Sequence, residues 1–164
     1  MRPAIPRNTI AALVLMLSAA PWLPAAECEI PPNYREAIDE NVLMLVRTLG
    51  RLQSNRWINQ NPELHGKLLD SMLRYHAGVE GTLPSCVEES NAGFVSALEE
   101  ARDAVDDLLE AQAIIDEERD AGAEEAPDYS PEATAAAQAF FEQRQRAQEV
   151  YQEFAELYQE MIGR

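Results

Sequence analysis

The stretch from Ser85 to Glu118, SCVEESNAGFVSALEEARDAVDDLLEAQAIIDEE, decides the fold. Val87, Phe94, Leu98, Ala101, Val105, Leu108 and Ile115 recur in it at helical steps, and nowhere does a two-residue alternation persist. Ser85, followed three residues later by Glu88, has the spacing of a capping box at the start. The pattern predicts one helix of about 34 residues, roughly 50 Å long at 1.5 Å per residue. A helix of that length with one apolar stripe needs partners to cover it.

One partner lies downstream. Ser130-Pro131-Glu132 is a cap followed by a first-turn proline, and Ala133, Ala137, Phe140, Ala147, Tyr151, Phe154, Tyr158 and Met161 then follow along one face. Two more helices lie upstream. Asn33, after Pro31-Pro32 and three before Glu36, reads as a cap, and Ile38, Val42, Leu45, Leu49 and Leu52 form a heptad stripe behind it. Asn61-Pro62 opens the next, with Leu64, Leu68, Met72 and Tyr75 as its stripe and Gly78 and Gly81 as its end. Because the two later helices are long, the first is expected to continue past Gly50 to about Trp57. Short connections favour antiparallel neighbours, so the expected fold is all-α: an up-down-up-down four-helix bundle with coiled-coil-like packing.

Residues 1–26 read as a cleaved secretory signal. Arg2 and Arg7 form a positive start, Ile10 to Leu17 an apolar core too short to span a bilayer, and Ser18 to Ala26 a small, proline-broken end. Glu27 directly before Cys28 argues against lipidation of that cysteine. Residues 27–164 then form one helical-bundle domain, periplasmic or secreted, with no stable membrane anchor after cleavage. Its two cysteines, Cys28 and Cys86, enter an oxidising compartment and are expected to form one disulfide. In an up-down-up-down bundle the first and third helices start at the same end, which places the two cysteines together.

The chain carries 13 Lys and Arg against 29 Asp and Glu, a formal charge of -16, and loss of Arg2 and Arg7 with the signal moves it to -18. Such a surface repels phosphate, which excludes nucleic acid and anionic membrane as partners and favours basic proteins or cations. The acids concentrate between Glu99 and Glu125, where only Arg102 and Arg119 oppose them. Glu99, Asp103, Asp106 and Glu110 share the outer helix face at steps of four, three and four. Asp116, Glu117, Glu118 and Asp120 sit in the last turns, where the negative helix end opposes them. Together with Glu124 and Glu125 they are the candidate partner-binding residues, and Arg47, Arg51 and Arg56 are expected to offset part of their charge.

No catalytic constellation assembles: there is no serine, histidine and acid set, no phosphate loop and no zinc motif, so an enzyme is not expected. His65 and His76 lie eleven apart on one helix, roughly 16 Å along its axis, too far to share an ion, and read as surface histidines. Asp116, Glu118 and Asp120 alternate like the first ligands of a calcium loop. Ala121 and Pro127 then stand where that loop needs glycine and glutamate. No metal or cofactor is expected. The sequence reads as an exported acidic bundle that binds a basic protein, as an inhibitor, toxin-immunity factor or chaperone-like adaptor would. A carrier of a small molecule or cation is the alternative, as is an acidic surface with no specific partner. Homo-oligomerisation stays open.

Overall fold

A computed structural model describes residues 28–54, 61–120 and 130–163. They form four α-helices, α1 Pro32–Gln53, α2 Pro62–Gly78, α3 Ser85–Asp120 and α4 Pro131–Ile162, with no strand among the described residues. The secretory segment, Arg56, Trp57, Glu124 and Glu125 lie outside the described residues.

The start signals act in two ways. Asn61 and Ser130 cap as their spacing predicts: their side-chain oxygens accept from the Leu64 and Ala133 amides at 3.2 and 3.0 Å. In α1 and α3 the cap moves to proline. Pro31 is the N-cap of α1, its carbonyl accepting from the Arg35 amide at 2.9 Å, so Asn33 lies inside the helix and makes no cap. The Pro84 carbonyl takes the Val87 and Glu88 amides in the same way, which draws Ser85 into the first turn of α3. Proline at these positions is preset for the bend into a helix and forfeits no hydrogen bond there. Gly81, at φ 74°, makes the left-handed step between α2 and α3.

The helices alternate up and down. Cys28, just before α1, is bonded to Cys86 in the first turn of α3, with Cα atoms 6.0 Å apart. The same end holds the finish of α2 through an Asn41–His76 contact and the finish of α4 through a Tyr158–Asp39 hydrogen bond. α3 and α4 make the most extensive pairing, α2 packs mainly on α3, and α1 touches all three lightly. α3 and α4 approach closely at Gly93, where an added Cβ would stand 3.1 Å from Leu157. The core runs through Ile38, Leu45, Leu49 and Leu52 of α1, Leu69 and Met72 of α2, Phe94, Leu98, Ala101 and Val105 of α3, and Ala147, Phe154 and Met161 of α4.

Two helix readings are corrected. α1 passes Gly50 but ends at Gln53, short of Trp57, because Ser54 turns to extended backbone (ψ 128°) and directs both its amide and its hydroxyl to the Arg51 carbonyl at 3.0 and 3.1 Å. In α2 the buried face is His65, Leu69, Met72 and His76, one residue round from the expected stripe, while Leu64 and Tyr75 face out. Both sets follow helical spacing and share Met72, so spacing alone did not separate them.

The short helices leave much of the long pair uncovered. α1 ends beside Arg144 and Gln148 of α4, and α2 begins beside Arg102 and Val105 of α3. From there α3 runs on for about fifteen residues, roughly 22 Å, with α4 antiparallel to it. Among the described residues, the grooves on this outer part are lined by α3 and α4.

The disulfide closes a separation of 58 residues, which by chain entropy contributes about 4 kcal/mol. Reduction is therefore expected to lower the unfolding temperature by on the order of 10 °C in calorimetry. The Cys28→Ser, Cys86→Ser double variant should match the reduced protein and ignore reductant.

Candidate functional site

The acidic residues of α3 divide at the point where α1 and α2 stop. Before it, Glu100 is drawn in: it accepts from Gln143 Nε2 at 2.6 Å and pairs with Arg146 at 2.9 Å, clamping α3 to α4. Arg102 bridges Asp70 of α2, at 2.8 Å, and Asp106. Arg102 and Arg146 are thereby engaged.

Glu99, Asp103, Asp106 and Glu110 are exposed along one side of α3, as their spacing predicts, and Glu117 continues that line. Burial pushes the Asp107 carboxyl above its ordinary range, with Glu110, Asp103 and Asp106 adding like-charge repulsion. The negative field along this face is thus partly uncompensated. In the last turns Asp116, Glu117 and Asp120 are exposed, and the Arg119–Asp116 pair at 3.1 Å lies in solvent, where it contributes little.

Glu118 differs from its neighbours. Its carboxylate accepts from the Ser130 amide at 3.4 Å, at the positive start of α4. The unfavourable end of α3 is therefore offset by the favourable end of α4. Among the described residues the expected compensation from α1 is not seen: Arg51 donates to His65 at 2.6 Å, and α1 ends beside Arg144 and Gln148, well short of Asp116, while Arg56 lies outside the described residues. The structure thus brings Asp116, Glu117, Glu118 and Asp120 together at the end of the hairpin and turns Glu118 partly inward.

Beside these acids lies a groove of about 410 Å³ between Ile115 of α3 and Ala133, Thr134, Ala137, Gln138 and Phe141 of α4. Phe141 is 49% exposed, with the Arg144 guanidinium 5.0 Å from its ring centre. The apolar stripe of α3 ends at this level, with Ala111 the last buried residue and Ile115 half exposed. The hairpin therefore carries an apolar trough at the same level of α3 as its terminal acids.

A second polar cluster was not legible as such, because the two histidines read as surface groups. Both are buried. His76 contacts Asn91 Oδ1 through Nδ1 and Asn41 Nδ2 through Nε2, each at 3.0 Å. Asn91 also donates to the His76 carbonyl at 3.0 Å and accepts from the Tyr34 hydroxyl at 3.2 Å. An amide N–H can only donate, so Asn41 assigns the proton of His76 to Nδ1 and keeps the ring neutral. Arg51 does the same to His65, whose Nδ1 lies 3.4 Å from Thr48 Oγ1. Burial lowers both histidine pKa values, Arg51 adding to the effect at His65 and Asn91 opposing it at His76. Every polar atom of the His76 ring is used internally, which makes the cluster structural. Among the described residues no three histidine, cysteine, aspartate or glutamate side chains converge to hold a metal ion.

Comparison of the chain with family models, curated proteins and solved structures returns no match.

Since the folded histidines sit below the ordinary value of 6.5, the unfolded chain binds protons that the folded one refuses. The stability they confer is full above pH 6.5 and is lost as pH falls through that value towards the folded pKa. The unfolding temperature should accordingly drop between about pH 7 and 5, and His65→Gln with His76→Gln should flatten that slope. Asn91→Ala strands the Tyr34 hydroxyl and the His76 N–H together and is expected to cost about 3 kcal/mol in denaturant titration.

Proposed function

We propose that the chain is an exported, disulfide-bonded helical protein that captures a basic protein partner on its acidic hairpin, as an inhibitor, immunity factor or chaperone-like adaptor does. It acts by binding and carries no catalysis of its own. The observation that carries the reading is the hairpin itself: α3 and α4 extend past α1 and α2, and the exposed Asp116, Glu117 and Asp120 occupy the same turns of α3 as Ile115, which lines an apolar trough with Ala133, Ala137 and Phe141. A partner surface with lysines or arginines around an apolar residue complements both parts. The charges set the rate and range of capture, and the trough supplies desolvated contact.

Export is supported by the pattern of residues 1–26 and by the Cys28–Cys86 bond, since disulfides persist in oxidising compartments. No helix among the described residues is long and apolar enough to cross a membrane. A carrier role has one feature in its favour, an open amide-rich groove of about 590 Å³ bordered by Gln53, Gln145, Gln148 and Gln152. A small molecule that co-purifies with the protein from its native envelope would raise that reading above capture.

Crosslinking of the tagged protein in the cell, followed by mass spectrometry, tests capture. The control is the triple variant Asp116→Lys, Glu117→Lys, Asp120→Lys, with Glu118 left intact to keep its bond to Ser130. A basic partner should be recovered with the native chain and lost with the variant, whose circular dichroism should stay helical. Association should also slow several-fold between about 50 and 300 mM salt. A partner that is retained by the variant, or the absence of any partner, sinks the proposal.

A further inference from the structure

The middle of α1 reads Val42-Leu43-Met44-Leu45-Val46, an unbroken apolar run. Five consecutive positions on a helix point to all sides, and a segment apolar on all sides is ordinarily buried on all sides. Here only one side is covered. Leu45 is fully buried, Val42 and Met44 are half-buried, and Leu43 and Val46 are 51% and 41% exposed.

The exposed face around Leu43 has an ordered charge pattern. Glu36, Glu40, Leu43, Arg47 and Gly50 follow at steps of four, three, four and three, all exposed. Glu40 and Arg47 form no ion pair among the described residues. The order is acidic, apolar, basic. Accommodation of the helix dipole does not account for it, because that effect is confined to the terminal turns. The first turn of α1 holds no acidic residue, and Glu40 and Arg47 lie two turns inside the ends.

We propose that this face of α1 is the contact of a two-fold symmetric homodimer in which α1 packs antiparallel against α1 of a second copy. With the axis passing between Leu43 and Met44, Glu40 meets Arg47 of the second copy and Arg47 meets its Glu40. Leu43 packs beside the axis against its own counterpart. The pattern is its own complement under this operation, as an isologous interface requires. Gly50, whose missing Cβ would meet nothing within 4 Å, leaves room for the backbones to approach.

Charge selects a second copy over the basic partner of the hairpin. On this face Arg47 offsets one of Glu36 and Glu40, so the face pulls far less on a cationic protein than the acidic tract of α3 does. The long acidic helix, by contrast, repels another copy of itself. Two copies therefore meet through α1 with their hairpins left free.

Sedimentation equilibrium of the oxidised protein tests this without any partner. The native protein should dimerise reversibly. Leu43→Asp, at an exposed position, should leave helix content unchanged and raise the dissociation constant by about a hundredfold or more. Glu40→Arg or Arg47→Glu alone places like charges together twice and should weaken the dimer about tenfold. The combined Glu40→Arg, Arg47→Glu variant should restore it to within about threefold. A native protein that is monomeric at every concentration overturns the proposal. So does a dimer indifferent to Leu43→Asp, or a double variant no better than the singles.

Discussion

The four helices are held in register by one neutral imidazole. His76 of α2 meets Tyr34 of α1 at a ring-centre distance of 5.9 Å and Phe94 of α3 at 4.7 Å, and Phe94 passes the contact to Phe154 of α4 at 4.9 Å. The line of four rings crosses all four helices, and Asn91 closes it by serving Tyr34 and His76 at once. Apolar stripes permit neighbouring helices to slide by a turn or to rotate. A buried polar set does not, because any shift leaves a donor or acceptor without a partner in a medium where that costs about 1–3 kcal/mol. The disulfide lies at the same end, so covalent and polar constraints act together on the starts of α1 and α3.

That concentration of constraint explains how the rest of the molecule tolerates thin packing. Past the end of α1 and the start of α2, the α3–α4 pair has, among the described residues, only each other to bury against. Small residues at Ala104, Ala111 and Ala133 let the two helices lie close, and Phe140 fills what space remains. The Gln143 and Arg146 contacts to Glu100 pin the root of this pair, and Glu118 on the Ser130 amide pins its end.

Much of the architecture was readable from sequence. Cap and proline at Asn61-Pro62 and Ser130-Pro131, the stripes of α1, α3 and α4, and the pairing of Cys28 with Cys86 all follow from residue type and spacing. The reading of α2 failed for a specific reason. Leu64, Leu68, Met72, Tyr75 and His65, Leu69, Met72, His76 are equally regular, and hydrophobicity favours the first. The deciding signal lay on the other helices, where Asn91 occupies an inner position between Val87 and Phe94, and Asn41 and Thr48 flank the inner line of α1. Polar residues at such positions call for polar partners, and the histidines were the ones on hand. The hairpin was missed because a stripe shows which face of a helix is apolar but not how far its neighbours reach. The acidic tract itself was plain in sequence; that Arg47 and Arg51 stop short of its end depends on where α1 ends, at Gln53.

The placement of charge follows from the same division. Crowded carboxylates destabilise a compact state through mutual repulsion, and at Asp107 burial, with a smaller contribution from its acidic neighbours, disfavours the charged form. Within the inner half of the bundle such crowding would oppose the register set by His76 and Asn91. There the acids are spread over all four helices rather than crowded on one, and Asp39 bonds Tyr158 and Asp70 bonds Arg102. The strongest clustering lies instead on α3 of the outer hairpin, at the opposite end from the disulfide. Stability and charge are thus assigned to opposite ends, and the end free to carry an uncompensated field is also the one that presents Phe141 and the alanine-lined trough to solvent.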